Sequence, residues 1–316
     1  MGVQEQLRII VVGGPTGSGK SVLALALAER LNGAIINADA MQLYRELRIL
    51  TARPTNEQEV RVPHRLYGIQ PAAKACSAAS WREMAIAEIT SVAPRLPILV
   101  GGSGLYLSAL MSGLAPVPKI PQPVREAARD RHRVLGSERL HAELTNRDAS
   151  MADRLDPSDS QRLIRAWEVM EATGRSLAEW QQQASGPPAG FDFRTILLAP
   201  PRAVLYATCD TRFLSMVERG AIDEVERLLA LGLDRNLPAM KALGMRELGR
   251  YIAGELDLDR AITQAQQATR NYAKRQLTWF RHQPPWNQAE RVDIQLDPKE
   301  KFLENISDDL ITKIVS

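Results

Sequence analysis

The stretch from Gly14 to Ser21 has the residue types and spacing of a phosphate-binding loop of the Walker A kind. Glycines let the backbone curl so that its N–H groups face a phosphate, and the start of a following helix adds partial positive charge. Lys20 supplies a full charge, and the Ser21 hydroxyl can bind Mg²⁺. The motif predicts a di- or triphosphate site without identifying the reaction. The predicted phosphate-contacting residues are Gly14, Pro15, Thr16, Gly17, Ser18, Gly19, Lys20 and Ser21.

Asp39 is the only carboxylate at a predicted strand end in the N-terminal half. A P-loop kinase or ATPase usually has such an aspartate for Mg²⁺ on another strand, but the strand at 98–100 runs into glycines and Ser103. Asp39 could be a general base, a helix cap or a Mg²⁺ ligand, since aspartate is common in all three roles. Ser103 could contact a substrate or cap a turn.

The elements that must position these residues alternate along the chain. Apolar runs predict strands at 7–12, 34–37 and 95–102, and good helix formers predict helices at 21–31 and 79–92. Asn32-Gly33 is expected to close the first of these helices. The alternation predicts an α/β fold with a P-loop NTPase-like parallel sheet, whose carboxyl edge would carry Asp39 and Ser103 beside the P-loop.

The pattern changes at a cluster of four prolines between residues 116 and 123. The sequence over 124–183 is polar and helix-periodic, and a further strand is predicted at 193–199. We therefore predict a core over 1–115 and 191–316 and a helical insertion domain over 116–190. The rest of the core is predicted to be helical over 202–282, with a weakly patterned tail.

Composition narrows the function classes. The 316 residues are 45% hydrophobic and 24% charged, which is typical of a globular protein and excludes global disorder. Two cysteines cannot build a disulfide framework, and the four histidines lack metal-ligand spacing. No apolar run is long enough to cross a membrane and no signal peptide pattern opens the chain, so we expect a cytoplasmic protein without a membrane partner. The net charge of +3 means that nucleic-acid binding would depend on local clusters.

One such cluster lies in the last predicted helix. Residues 272–281 contain Lys274, Arg275 and Arg281 with no acidic residue, and Arg270 stands just before them. Aromatic residues are interleaved with these cations. The pattern fits a track for nucleic-acid phosphates, or a solvated helix face over an aromatic core.

These motifs together, in this order, resemble the tRNA dimethylallyltransferase (tRNA isopentenyltransferase) family. Residues 37–45 resemble its aspartate motif, 100–106 its Gly-Gly-Thr/Ser segment, 159–168 part of its helical insertion, and 269–280 its basic C-terminal helix. The resemblance spans about residues 9–282. The chain departs from the family pattern at Leu50, Arg53, Arg65, Thr208 and Met245. Thr208 replaces an arginine, for which Arg212 and Lys241 could compensate.

The resemblance implies transfer of a dimethylallyl group from dimethylallyl diphosphate to the N6 amine of adenosine 37 in tRNA. Lys20 and a Mg²⁺ ion on Ser21 would stabilise the leaving diphosphate with help from Arg212 and Lys241. Asp39 would take the amine proton, Ser103 would contact the nucleotide, and the insertion would grip the anticodon loop of a tRNA bound by a monomeric enzyme. The implied tRNA contacts are Asp39, Ala40, Met41, Gln42, Ser103, Arg125, Gln161, Arg162, Arg165, Arg270, Lys274 and Arg275.

Other interpretations stay open at this point. A P-loop kinase acting on a small metabolite or nucleotide would use Asp39 on a hydroxyl and the insertion as a lid. An insertion of about 75 residues exceeds what closure over phosphates requires. A non-enzymatic RNA-binding P-loop protein, or an enzyme that prenylates free adenine nucleotides, would also carry the loop. Whether ATP and other nucleotides bind the P-loop is not decided by the sequence.

Overall fold

Six parallel strands form one sheet within the described residues, 6–283, 286 and 290–292, of the computed structural model. The strand order is β3-β2-β4-β1-β5-β6, so the first strand lies near the centre. The strands are β1 (Leu7–Gly13), β2 (Gly33–Asn37), β3 (His64–Arg65), β4 (Leu96–Gly101), β5 (Phe191–Leu198) and β6 (Glu290–Val292). The predicted P-loop α/β fold with a parallel sheet is confirmed.

The central strands are continuous apolar runs because helices cover both faces of the sheet. Residues 9–12 of β1 and 98–100 of β4 are buried, and Ile10 pairs with Ile98 in register. The strand predicted at 193–199 begins two residues earlier, at Phe191. The strand β6 lies in the tail for which the sequence predicted no element.

Twelve helices are present in the described part of the chain. They are α1 (Lys20–Arg30), α2 (Asn56–Arg61), α3 (Ala78–Ser91), α4 (Gly104–Met111), α5 (Gln122–Arg147), α6 (Ala149–Ala152), α7 (Ser160–Thr173), α8 (Leu177–Gln181), α9 (Arg202–Glu218), α10 (Ala221–Ala230), α11 (Met245–Ile252) and α12 (Leu258–His282). Two 3₁₀ turns cover Met41–Leu43 and Pro238–Lys241. Of the predicted pair Asn32-Gly33 that closes α1, Asn32 takes the positive φ, 48°, and Gly33 already belongs to β2.

The chain divides into two units, one over 1–111 and 189–316 and the other over 112–188. The second unit contains α5 to α8 and no strand among its residues. It has its own core, in which Leu140, Leu144, Leu163 and Trp167 are buried together. Gly136, with a φ of 75°, breaks α5 into two segments. This helical unit was predicted from the sequence at 116–190.

Helices α9 to α12 belong to the larger unit. The 25-residue α12 packs along α9 and α11 and also contacts α4. Small and medium apolar side chains make the α9–α12 contact, among them Cys209, Ala273 and Leu277. No helix in the described residues is both long enough and apolar enough to cross a membrane.

Candidate active site

The P-loop connects β1 to α1, and its glycines adopt the conformation that the turn requires. Gly17 and Gly19 have φ angles of 82° and 87°, in the left-handed region that favours glycine. Lys20 is the first residue of α1, and its Nζ donates to the Pro15 carbonyl at 3.2 Å. Burial lowers the pKa of Lys20 to about 8, although the negative charge of Asp39 opposes this shift. The lysine is thus a partly desolvated cation that a diphosphate would stabilise.

Arg212 of α9 extends the positive charge of the P-loop. Its Nη2 donates to the Thr16 hydroxyl. Burial lowers the pKa of the guanidinium, although the negative charge of Asp39 opposes this shift. Thr208, where the family pattern has arginine, bonds to the Val204 carbonyl of its own helix at 2.9 Å. Arg212, one turn further along α9, is the cation of this helix that contacts the P-loop.

Lys241 has a different placement from Arg212. It is exposed at the end of the 3₁₀ turn Pro238–Lys241. Within the described part of the chain it makes no hydrogen bond or ion pair with the P-loop. Of the two predicted additional cations, the structure thus brings only Arg212 into contact with the loop.

Asp39 follows β2 in a loop that is braced from within. The buried side chain of Asn37 accepts a hydrogen bond from the Asp39 N–H at 2.8 Å and donates to the Leu66 carbonyl at 3.0 Å. Asp39 Oδ1 accepts from the Met41 N–H at 3.0 Å, at the start of the turn Met41–Leu43. No described residue donates a hydrogen bond to Oδ2, so one carboxylate oxygen stays available for another partner.

Ser103 lies at the end of β4 and joins this loop. Its Oγ accepts a hydrogen bond from the Ala40 N–H at 2.8 Å, and its carbonyl accepts from Tyr106 N–H in the first turn of α4. The two strand ends come close because Gly101 has no side chain: a Cβ there would lie 2.0 Å from the Ala38 carbonyl oxygen. Asp39 and Ser103 therefore lie at the same edge of the sheet, as β2 and β4 are parallel neighbours.

Gln42 has its amide group committed elsewhere. Its Nε2 donates to the Thr51 carbonyl at 2.8 Å and to the Ala52 carbonyl at 3.1 Å. The side chain thus fastens the loop at 51–52 to the turn that carries Met41. Of the side-chain amide, only the oxygen Oε1 is left for a substrate.

Three tyrosines respond to the charge of Asp39. Burial raises the pKa of Tyr67, Tyr106 and Tyr272, and the negative charge of Asp39 raises each further. All three phenols are therefore neutral at physiological pH. The sequence did not identify them as site residues, because nothing in the sequence around a tyrosine shows which carboxylate will influence its pKa in the folded chain.

The basic face of α12 is narrower than predicted. Lys274 and Arg275 are exposed and border an open groove with a volume of about 510 Å³. Arg275 also lies 5.6 Å from the ring centre of Tyr272. Arg270, by contrast, forms an ion pair with Asp210 of α9 at 2.5 Å and is only 20% exposed. Of the four predicted cations, Lys274, Arg275 and Arg281 are exposed and have no carboxylate partner among the described residues, whereas Arg270 is held against α9.

Within the helical unit, two of the four predicted RNA-contacting residues, Gln161 and Arg162, are exposed, and Arg125 and Arg165 are half-buried. Arg162 pairs at 3.4 Å with Asp159, the residue that caps the start of α7, and Arg165 pairs with Glu168 of the same helix at 3.2 Å. Gln161 is exposed beside them. Arg125, in α5, has a buried Nε without a hydrogen-bond partner. Arg162 and Arg165 are thus each paired with a carboxylate three residues away, whereas one nitrogen of Arg125 has no hydrogen-bond partner.

A metal ion at this site would need ligands from a substrate. The described residues contain no group of three or more His, Cys, Asp or Glu able to hold a metal ion. Mg²⁺ bound to a phosphate substrate usually takes few protein ligands and keeps several waters. The Ser21 hydroxyl, exposed in the first turn of α1 directly after Lys20, fits such a role.

Comparisons with known proteins find relatives that match most of this chain. A family model described as IPP transferase matches residues 42–283. The chain is 57% identical over 278 residues to a tRNA dimethylallyltransferase of Rhodospirillum centenum, covering 87% of this chain and 88% of that protein. It is 51% identical over 276 residues to one of Paramagnetospirillum magneticum, covering 87% and 88%. The crystal structure of a full-length tRNA isopentenylpyrophosphate transferase from Bacillus halodurans has a TM-score of 0.68 at 32% identity, covering 98% of this chain and 97% of that one.

Proposed function

The chain belongs to the IPP transferase family, and on that premise we propose that it transfers a dimethylallyl group from dimethylallyl diphosphate to the N6 amine of adenosine 37 in tRNA. The observation that supports this most strongly is the convergence of opposite charges at one sheet edge. The pKa values of Lys20 and Arg212 both respond to Asp39. An anion-binding loop beside a carboxylate suits a reaction in which an anion leaves and a proton is removed.

The P-loop side would bind and stabilise the departing diphosphate. In the transfer, the bond between the allylic carbon and the diphosphate oxygen breaks, and that oxygen takes the electron pair. Lys20, Arg212 and the N–H groups of the loop would neutralise the charge that develops there. Ser21 would hold a Mg²⁺ ion on the diphosphate, which supplies Lewis-acid stabilisation when bound. No water needs to be activated, which is consistent with a P-loop site that transfers carbon rather than phosphate.

Asp39 would take the proton that the amine loses. The new bond joins N6 of the adenine to the allylic carbon, and the nitrogen must release one proton to become neutral. Asp39 Oδ2 has no hydrogen-bond donor among the described residues and can accept it. The Oδ1 bond to Met41 and the Asn37 brace hold the carboxylate in place meanwhile.

We propose that RNA contacts two regions, one on α12 and one in the helical unit. Lys274 and Arg275 of α12 would bind phosphates, as exposed cations without carboxylate partners in the described residues. In the helical unit, Gln161, Arg162, Arg165 and Arg125 would contact the anticodon loop. The target base must leave its stack to reach Asp39, which costs a few kcal/mol for a loop nucleotide.

The direct test is incubation of the protein with labelled dimethylallyl diphosphate and tRNA. We expect label on tRNA, and none on a matched transcript with guanosine at position 37. Transfer to free adenine nucleotides instead would identify the alternative prenyltransferase, and the absence of transfer to either acceptor would overturn the proposal. ATP in place of the donor serves as the control for kinase activity.

A further inference from the structure

Gln276 is a buried polar residue of α12 that the proposed mechanism does not yet use. Only 5% of it is exposed, and both atoms of its amide are bonded to other elements. Oε1 accepts a hydrogen bond from the Thr16 N–H in the P-loop at 2.8 Å. Nε2 donates to the Gly102 carbonyl after β4 at 2.8 Å. One side chain therefore joins the P-loop to the loop that carries Ser103.

The connection continues from Gly102 to Asp39. Ser103, the next residue, accepts a hydrogen bond from the Ala40 N–H, and Ala40 adjoins Asp39. The P-loop and the carboxylate are thus linked through Gln276 and Ser103 in series. Gly102 makes room for this link, because a Cβ at that position would lie 2.3 Å from the Gln276 Nε2.

The chemistry of the link requires an amide. The Thr16 N–H needs an acceptor and the Gly102 carbonyl needs a donor, and glutamine supplies both from one uncharged group. Glutamate would keep the acceptor but set a carboxylate oxygen against the Gly102 carbonyl. Methionine has a similar volume and supplies neither strong donor nor strong acceptor.

We propose that Gln276 is a positioning residue for the transfer reaction: it fixes the P-loop, and so the donor diphosphate, at the working distance from Asp39 and Ser103. The proposal rests on the proposed function, since it assigns the P-loop to the donor and Asp39 to the acceptor. A small error in the distance between reacting groups lowers the rate of the chemical step more than it lowers binding.

The test compares Gln276→Met with a matched control, Gln266→Met. Gln266 lies on the same helix and donates one bond to the Asp210 carbonyl of α9, but makes no hydrogen bond to the P-loop itself among the described residues. We expect Gln276→Met to lower kcat by roughly 10- to 100-fold, with the tRNA dissociation constant unchanged. Gln266→Met should retain wild-type kcat. A Gln276→Met enzyme with wild-type kcat, or a loss of rate matched by the control, would overturn the proposal.

A double variant separates positioning from general destabilisation. If Gln276 and Ser103 act in series, Gln276→Met combined with Ser103→Ala should lose about as much kcat as the more damaging single change. Fully multiplicative losses would contradict the series arrangement. Gln276→Glu should also be slow despite its similar shape, and full activity in that variant would contradict the need for a donor to Gly102.

Hydrogen exchange at the Thr16 amide gives a readout that does not depend on turnover. The Gln276 bond should protect this N–H in the wild type, and Gln276→Met should speed its exchange while Gln266→Met leaves it unchanged. Equal exchange in all three proteins would refute the link itself. If Gln276→Met speeds exchange at Thr16 but the wild-type protein transfers no dimethylallyl group, the link exists and the proposed function is wrong.

Discussion

The P-loop region and the helical unit hold their candidate functional side chains in opposite ways. Around the P-loop, Thr16 bonds to Gln276 and Ser103 bonds to the Asp39 loop, through contacts between residues far apart in sequence. In the helical unit, Arg162 and Arg165 pair with carboxylates three residues away on the same helix. The first arrangement depends on the whole fold, whereas the second depends only on one helix.

From this difference we propose that the P-loop region performs the chemistry and that the helical unit contacts RNA. Buried hydrogen bonds that link several elements keep reacting groups in place before the substrate arrives. The exposed Arg162–Asp159 pair contributes only about 0–1 kcal/mol, so Arg162 can exchange its carboxylate for an RNA phosphate at little cost. We therefore expect changes near the P-loop to affect rate, and changes in the exposed cations to affect tRNA affinity.

A first prediction, with a large expected effect, concerns Lys20→Ala. Removal of the only lysine in the P-loop should lower kcat by at least roughly 10²- to 10³-fold, the usual loss for one group that stabilises developing charge. Thermal unfolding should change little, because Lys20 contacts the loop rather than the apolar core. Near-normal turnover of a folded Lys20→Ala protein would show that the P-loop does not take part in the chemistry.

A second prediction concerns the exposed cations of α12. Charge reversal of Lys274 and Arg275 together should weaken tRNA binding and lower the log–log salt slope by roughly 0.7 to 1 for each lost phosphate contact. Arg235→Glu, an exposed charge reversal in the loop after α10, is the control. Affinity for inorganic diphosphate should not change. An unaltered salt slope would make this surface an ordinary solvated helix face.

A third prediction tests whether Arg162 of the helical unit contacts tRNA. Arg162→Ala should raise the KM for tRNA by roughly tenfold, the value of one charge-assisted hydrogen bond. Arg133→Ala is a closely matched control, since Arg133 is also exposed and pairs with Asp130 three residues before it. If both variants raise the KM equally, the effect comes from net charge and not from a specific contact of Arg162.

The smallest expected effect is a pH dependence of donor binding. Burial lowers the pKa of Lys20 to about 8, and a bound diphosphate favours its protonated form. Affinity for inorganic diphosphate should therefore be constant below that pH and fall above it, by at most roughly tenfold per pH unit. Calorimetry from pH 7 to pH 9.5 measures this. Lys20→Arg stays protonated and should show no such fall; a flat wild-type profile would contradict the assignment.

The sequence was sufficient for the parts of the fold that depend on local pattern. The buried strands β1 and β4 and the P-loop between β1 and α1 follow from apolar runs and glycine spacing. Strand β6 was missed because three residues in a weakly patterned tail carry no periodic signal. The pair Asn32-Gly33 was predicted to close α1, but the sequence could not show which of the two takes the positive φ, since asparagine tolerates it as glycine does.

The site was predictable only where residue type reveals chemistry. Helical periodicity placed Lys274 on an exposed face, but it could not show that Gln276 reaches the P-loop or that Arg270 pairs with Asp210. Those contacts depend on how α12 packs against the sheet and α9. In the same way, Asn37 was treated as a strand end, and its role in bracing Asp39 emerges only from the folded loop.

The most direct test of the account is the single-turnover transfer rate of Asp39→Asn at saturating tRNA, with donor already bound. The amide has the shape of the carboxylate but cannot take the amine proton. We predict a rate roughly 10²- to 10⁴-fold below wild type, with unchanged affinity for inorganic diphosphate. A wild-type transfer rate in Asp39→Asn would contradict the assignment of Asp39 as the base.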